Sequence, residues 1–244
     1  MDMKALQQGL HVLSEKSLGC SLQEVTELNV IAQSKDIALV ENFQFRFHSQ
    51  LAFIKSLIAD GKIGELRCIR SSFGFPPFAD SNNIRYKKAL GGGALLDAGA
   101  YTLKVSQLFL GDDIEVAAAN LSYPANSEVD ISGGAYIKQK KGDLFLEAAF
   151  GFDSFYQCSI ELWGSKGRIF TNRIFTSPPG FKPEIIVETN QGKETLSLEA
   201  DNHFKNMLTH FHQLVCGEKN KKDEYKQNIL QASLIEQVKQ KAND

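Results

Sequence analysis

An α+β fold is predicted for this chain: the tail of a doubly wound parallel domain, then a large, mainly antiparallel sheet with helices on one face. Three observations predict it. Residues 11–40 alternate strand, helix and strand patterns. Residues 66–198 carry strand patterns in hairpin order, most of them separated by glycine turns. Two amphipathic helical patterns then close the chain, and helices segregated from an antiparallel sheet make an α+β domain. The division falls near residue 42, giving units of 1–42 and 43–244.

Residues 3–9 read as a helix stub closed by Gly9, and 11–14 as a short buried strand ending at Glu15 and Lys16. Ser21 and Glu24 have capping-box spacing, and Leu22, Val25, Leu28 and Ile31 recur at helical intervals after them. The run Ile37, Ala38, Leu39, Val40 is continuously apolar, as in a parallel strand covered on both faces. A helix over 50–59 stops at Gly61. Strands follow at 66–75, 114–121, 129–139 and 144–152, the last two joined by the Lys141-Gly142 turn. In 144–152, Leu144, Leu146, Ala148, Phe150 and Phe152 alternate with Phe145, Glu147, Ala149 and Gly151, so one face is buried. Residues 156–163 and 167–172 flank another glycine turn, and 184–188 and 194–198 surround Gln191-Gly192. Between these strands, 91–110 reads as a helix packed on the sheet. Phe204, Met207, Leu208, Phe211, Leu214 and Val215 form one closing stripe; Tyr225, Ile229, Ala232, Ile235 and Val238 form the other.

Composition excludes several classes. The 244 residues suffice to bury a core, and a hydrophobic content of 43% with 23% charged residues is that of an ordinary globular protein. A net charge of -2, with scattered basic residues, argues against a nucleic-acid surface. The one dense basic run, Lys219 to Lys222, lies between two helical patterns and reads as a solvated loop. Cys20, Cys68, Cys158 and Cys216 are widely spaced, which fits reduced thiols rather than zinc or a disulfide frame. No apolar run approaches the roughly 18 residues of a membrane span, so no membrane partner and a cytoplasmic location are expected. His203, His210 and His212 lack matching carboxylates or cysteines, so no metal is expected.

The chemistry concentrates in 91–101, Gly-Gly-Gly-Ala-Leu-Leu-Asp-Ala-Gly-Ala-Tyr. If the turn continues as a helix, Asp97 and Tyr101 share a face at i and i+4. That pattern suits a catalytic helix start, but taken alone it better suits a glycine loop before a core helix, with Tyr101 as a hydrogen-bonded core aromatic and Asp97 as a helix N-terminal carboxylate. Lys16 lies just beyond the carboxyl end of a short buried strand, where open α/β sheets place their ligands.

Four ordered motifs then point one way: His11-Val-Leu-Ser-Glu-Lys-Ser17, Glu41-Asn-Phe-Gln-Phe-Arg-Phe-His48, Gly91 to Tyr101, and Glu161-Leu-Trp-Gly-Ser-Lys-Gly-Arg168. In order and spacing they resemble the Gfo/Idh/MocA oxidoreductases. Tyr101 and the run Ile174-Phe-Thr-Ser-Pro-Pro179 look most like the nucleotide-sugar ketoreductase and dihydrodiol dehydrogenase branches. The resemblance implies an NAD- or NADP-dependent oxidoreductase interconverting a hydroxyl and a ketone on a sugar, nucleotide sugar or cyclic diol. It implies catalytic roles for Lys16, Tyr101 and Asp97, cofactor contacts from Glu15, Lys16 and Arg46, and substrate contacts from Asp97, His48 and Trp163. Ser17 stands where the family's Glu-Lys-Pro motif has proline. A neighbouring Lys16 ammonium is expected to favour the ionised form of the Tyr101 phenol.

Family members open with a Gly-x-Gly-x-x-Gly turn that holds the cofactor pyrophosphate on backbone amides, and the chain contains none. By the same resemblance, residues 1–42 are the carboxyl-terminal remnant of a Rossmann domain, and cofactor binding by this chain is expected to be weak or absent. The sheet face opposite the helices is expected to be apolar, with Phe145, Ala149 and Gly151 upon it, and to pair copies into a homodimer or larger oligomer. A self-associating sheet domain without catalysis is the alternative expectation.

Overall fold

The computed structural model describes residues 1–80 and 82–243. Helix α1 (Asp2–Gln7) leads into strand β1 (Val12–Glu15), helix α2 (Leu22–Ser34) and strand β2 (Leu39–Asn42). β1 and β2 pair in parallel, Val12 opposite Leu39 and Glu15 opposite Asn42. Ser21 caps α2 by accepting from the Glu24 amide at 3.2 Å, and the Glu24 carboxylate accepts from the Cys20 amide at 2.8 Å. The capping box therefore closes one residue earlier than its usual form, on the loop that leaves β1.

Both strands start one or two residues later than their apolar runs suggest. The difference brings Glu41 and Asn42 into β2, where all four residues are buried. Burial of the Glu41 carboxyl raises its pKa, against the pull of Lys104, the Leu18 amide and Arg46. Its Oε1 accepts from the Leu18 amide at 2.9 Å and ties down the loop that follows Lys16.

Helix α3 (Ser49–Ala59) precedes strand β3 (Leu66–Gly74), and helix α4 (Ala100–Leu110) precedes strands β4 (Ile114–Ser122), β5 (Ser132–Gln139), β6 (Phe145–Gly151), β7 (Gln157–Gly164), β8 (Gly167–Asn172), β9 (Glu184–Thr189) and β10 (Gly192–Ser197). Helices α5 (His203–Val215) and α6 (Lys222–Lys241) follow. The eight strands form one sheet in the order β10-β9-β8-β7-β3-β6-β5-β4. The pattern of successive hairpins fails at one place: β3 lies between β6 and β7, parallel to β6 and antiparallel to β7. Its apolar Ile69 and Phe73, set among Ser71 and Ser72, are matched on both sides by buried partners, which a strand at the sheet edge would not have.

α4 lies on the inner face, and its Leu103 and Val105 are fully buried in the core that also holds Leu146, Ile137 and Ile69 of the sheet. Burying a side chain of that size contributes about 1.5–3 kcal/mol. The outer face corrects the apolar expectation. Phe145 packs against Tyr136 with the rings tilted and their centroids 4.9 Å apart. Beside them runs a ladder of ion pairs: Arg70 to Glu147 at 2.7 Å and to Glu161 at 3.4 Å, then Arg168 to Glu161 at 2.9 Å and to Glu188 at 2.6 Å. Because side chains alternate along a strand, the parity that turns Leu146, Ile160 and Ile169 inward turns these charges outward.

Candidate active site

The helix expected over 91–110 becomes a regular α-helix only at Ala100. A π-turn over Leu95–Gly99 precedes α4, a widened geometry that recurs at functional sites. Its amino end is fixed by a residue from a distant loop. Asp130 accepts from the Leu95 amide through Oδ2 at 2.6 Å and from the Ala94 amide through its carbonyl at 2.9 Å. Gly93, at φ 117°, lies so close that a Cβ there would meet Asp130 Oδ1 at 2.4 Å. At Gly92 a Cβ would meet the Arg85 carbonyl oxygen at 2.5 Å. The glycines thus serve close packing of two loops, rather than mobility.

Lys16 follows the carboxyl end of β1, and its peptide bond to Ser17 is cis. Its ammonium donates to Asp97 Oδ1 at 2.5 Å and to the Asp97 carbonyl oxygen at 3.0 Å. Asp97 Oδ2 accepts from Arg85 Nε at 2.6 Å. Burial works to raise the Asp97 pKa, and the two cations outweigh it, holding the carboxyl below its ordinary range. The Lys16 ammonium also lies 5.2 Å from the centroid of the Tyr101 ring. An ammonium has three protons to donate, and Asp97 engages two of them.

Tyr101 is 8% exposed and held edge-on by Phe43 and Phe73, with ring centroids 5.4 and 5.2 Å away. Its pKa is pushed up to about 12, first by burial, against a hydrogen bond from Gln44 and with the help of the Asp97 and Glu15 charges. This overturns the expectation that Lys16 favours the phenolate. Desolvation of the phenol decides the direction, and the charge of Asp97, which holds the ammonium, pushes the same way.

Glu15, Lys16, Asp97 and Tyr101 line one open cavity of about 730 Å³, with Phe73, Phe75 and Phe78 as its apolar wall and Arg85 on its polar side. The remaining expected site residues lie elsewhere. Arg46 is buried away from this cavity, donating to Glu224 at 2.5 Å and to Gln227 at 2.7 Å, so its charge is spent on α6. His48 caps α3, its Nδ1 accepting from the Gln50 amide at 3.2 Å, and its ring meets His203 edge-on at 5.6 Å. Burial holds both imidazoles below their ordinary pKa. Trp163 requires correction: it is 44% exposed on the outer sheet face, with the Arg70 guanidinium 4.3 Å from its ring. Strand parity puts it there, since Leu162 faces inward.

Sequence reasoning missed Arg85 and Asp130. Arg85 lies in a polar loop without hydrophobic period, and Asp130 falls at the start of the strand expected over 129–139, ahead of β5, which begins at Ser132; neither carries a motif that marks it. Asn42 was missed as well: its amide donates to Glu15 Oε1 at 2.7 Å, while its Oδ1 is buried without a hydrogen-bond partner.

Comparisons with known proteins bear on the family and the fold. The family profile GFO/IDH/MocA C-terminal domain matches residues 51–170. A dTDP-3,4-didehydro-2,6-dideoxy-alpha-D-glucose 3-reductase of Actinomadura kijaniata is 33% identical over 241 residues, which is 99% of this chain and 72% of that protein. A crystal structure of a 3-ketoreductase from the same organism, in complex with NADP and TDP-benzene, superposes with a TM-score of 0.93 at 33% identity, covering 98% of this chain and 73% of that one. A trans-1,2-dihydrobenzene-1,2-diol dehydrogenase of Xenopus laevis is 36% identical over 118 residues, 48% of this chain and 35% of that protein. With its sheet, its Lys16–Asp97–Tyr101 cleft and these relatives, the chain belongs to the Gfo/Idh/MocA family of oxidoreductases.

Proposed function

We infer that the chain supplies the catalytic half of an NAD(P)-dependent oxidoreductase that interconverts a hydroxyl and a ketone on a sugar, nucleotide sugar or cyclic diol. The observation that carries this is the meeting of Lys16 and Tyr101 across Asp97 at one cavity wall. Lys16 has one N–H left for a ligand after Asp97 takes two, and that donor stabilises negative charge developing on a substrate oxygen. Tyr101, kept neutral by a pKa of about 12, is the proton donor to the same oxygen in the reductive direction. The nicotinamide, when bound, supplies the hydride.

The residues present fit the nicotinamide end of the cofactor and not its pyrophosphate. Asn42 Oδ1, buried and unpartnered beside Glu15 at the ends of β1 and β2, is an acceptor suited to a carboxamide N–H. No Gly-x-Gly-x-x-Gly turn is available to cradle phosphates. Arg46, expected as a cofactor contact, is committed to Glu224. Two further elements belong to the same reading: a homodimer formed through the outer sheet face, and a reducing cytoplasm, supported by four free cysteines.

The test is a chimaera joining this chain to the phosphate-binding half of the Actinomadura relative. The chimaera is expected to oxidise NADPH in the presence of a keto sugar, and the chain alone to bind NADP(H) weakly and turn over nothing. Micromolar cofactor binding by the chain alone, or an inactive chimaera that binds NADPH normally, would overturn the reading.

A further inference from the structure

The π-turn ahead of α4 leaves a carbonyl to be satisfied from outside the helix. In an α-helix the Ala100 amide would donate to the Leu96 carbonyl, four residues back. Here it donates to the Leu95 carbonyl, because the turn over Leu95–Gly99 is wider by one residue. The Leu96 carbonyl therefore lacks the amide that regular helix geometry would give it, and a carbonyl left open in a half-buried place costs free energy. Ser17 fills the vacancy: its Oγ donates to the Leu96 carbonyl oxygen at 3.2 Å, across 79 positions of chain. The next carbonyl, that of Asp97, takes the Lys16 ammonium at 3.0 Å. Two consecutive side chains of the loop after β1 thus dock on two consecutive carbonyls of the π-turn.

The other anchors of this loop decide what Ser17 contributes. The Leu18 amide donates to Glu41 of β2 at 2.9 Å, the Cys20 amide to Glu24 of α2 at 2.8 Å, and the Cys20 carbonyl accepts from Lys239 of α6 at 2.9 Å. These contacts tie the loop to the parallel strands and their helices. Among the described residues, its hydrogen bonds to the π-turn are those of Lys16 and Ser17. Lys16 crosses that gap on a flexible four-carbon stem. Ser17 crosses it on a single carbon, so its bond holds the main chain itself and not only a side-chain tip. A proline in this position has no hydroxyl to donate, so the contact belongs to this chain's own sequence. Both residues line the cavity that holds Tyr101. We propose that Ser17 is a positioning residue: by donating to the Leu96 carbonyl it fastens the loop to the π-turn, so that the Lys16 ammonium keeps both bonds to Asp97 and aims its third N–H at the reacting oxygen. Ser17 acts through Lys16, and the assignment rests on the catalytic reading of Lys16 given above.

Two measurements test it. In the purified chain, competitive labelling of lysines with acetic anhydride, read by mass spectrometry, reports how freely each ammonium leaves its partners. Ser17→Ala is expected to raise the labelling rate at Lys16 about fivefold, the scale of one lost hydrogen bond, and to leave the exposed Lys35 at the end of α2 unchanged. Ser17→Thr keeps the hydroxyl and is expected to stay within about twofold of the unaltered protein. In the chimaera, Ser17→Ala is expected to lower kcat about fivefold with KM for the keto sugar within about twofold, and Ser17→Thr to restore it. Thermal midpoints within a few degrees of the unaltered protein confirm the fold of both variants. Equal labelling of Lys16 in Ser17→Ala and the unaltered chain overturns the proposal. So does a Ser17→Thr variant that falls as far as Ser17→Ala, which would make side-chain size rather than the donor the cause. If Lys16→Ala cripples the chimaera while Ser17→Ala leaves kcat intact, the positioning role falls and the catalytic reading stands. If Lys16→Ala itself leaves kcat intact, the catalytic reading falls, and with it the aim at a reacting oxygen, while the labelling still decides whether Ser17 holds Lys16.

Discussion

Asp97 grips Lys16 across 81 positions of chain, through its carboxylate at 2.5 Å and its own carbonyl oxygen at 3.0 Å. A carboxylate that bound the ammonium through its side chain alone would let it swing. Using the backbone as a second acceptor fixes the direction of the remaining N–H. In the chimaera, Lys16→Ala and Tyr101→Phe should each lower kcat roughly 100-fold or more, the scale of removing a positioned donor. Asp97→Asn keeps the backbone contact and loses the charge, and a smaller loss is expected, about 10-fold, checked by steady-state kinetics. Near-normal rates in both the Lys16 and Tyr101 variants would make the π-turn helix structural.

Tyr101 should be silent to alkaline titration until late. Its folded pKa of about 12 lies above the ordinary value of 10, so the neutral phenol contributes stability present in full below pH 10 and lost as pH rises toward 12. The difference in phenolate absorbance between the unaltered chain and Tyr101→Phe should stay near zero up to about pH 11. A midpoint at or below 10 would mean the ring is more solvated, or Lys16 freer, than the packing against Phe43 and Phe73 indicates.

Glu224 is expected to govern acid stability. Burial opposes its ionisation, but His210 at 2.8 Å and Arg46 at 2.5 Å hold its pKa at about 2, below the ordinary 4.5. A depressed folded pKa contributes stability present above 4.5 and lost as pH falls toward 2. That contribution is on the order of 3 kcal/mol from the shift. Urea unfolding of Glu224→Gln should show lower stability at neutral pH and a shallower loss between those limits. An unchanged acid limb would refute the assignment.

The outer sheet face should pair two copies. Each surface ion pair there is worth only about 0.2–1 kcal/mol. Tyr136, Phe145 and Trp163 are therefore expected to supply the contact area, with the charges setting register. Sedimentation is expected to show a dimer, and Trp163→Asp to give a folded monomer. A clean monomer of the unaltered chain at tens of micromolar, roughly the midpoint of weak association, would exclude the face as an interface.

The sequence by itself determined the elements. Period two in 144–152, the stripes of α5 and α6 and the Ser21 cap are local patterns, and local sterics and burial suffice to specify them. The resemblance of its four ordered motifs to the family implied that Lys16, Asp97 and Tyr101 share one cleft, and the position of Lys16 at the end of a parallel strand agrees with that. Tertiary structure alone decided the rest. Strand order is a long-range choice, so β3 entering between β6 and β7 has no local signature. Strand parity, fixed by which residues meet the core, sent Trp163 outward. Pairing decided the charges: Arg46 went to Glu224, and Arg85, unmarked in its loop, went to Asp97, because a buried carboxylate takes whichever cation the fold brings within reach. The Tyr101 pKa was likewise decided by tertiary packing, since a phenol walled by aromatic rings responds first to lost solvent, and the Asp97 charge pushes the same way.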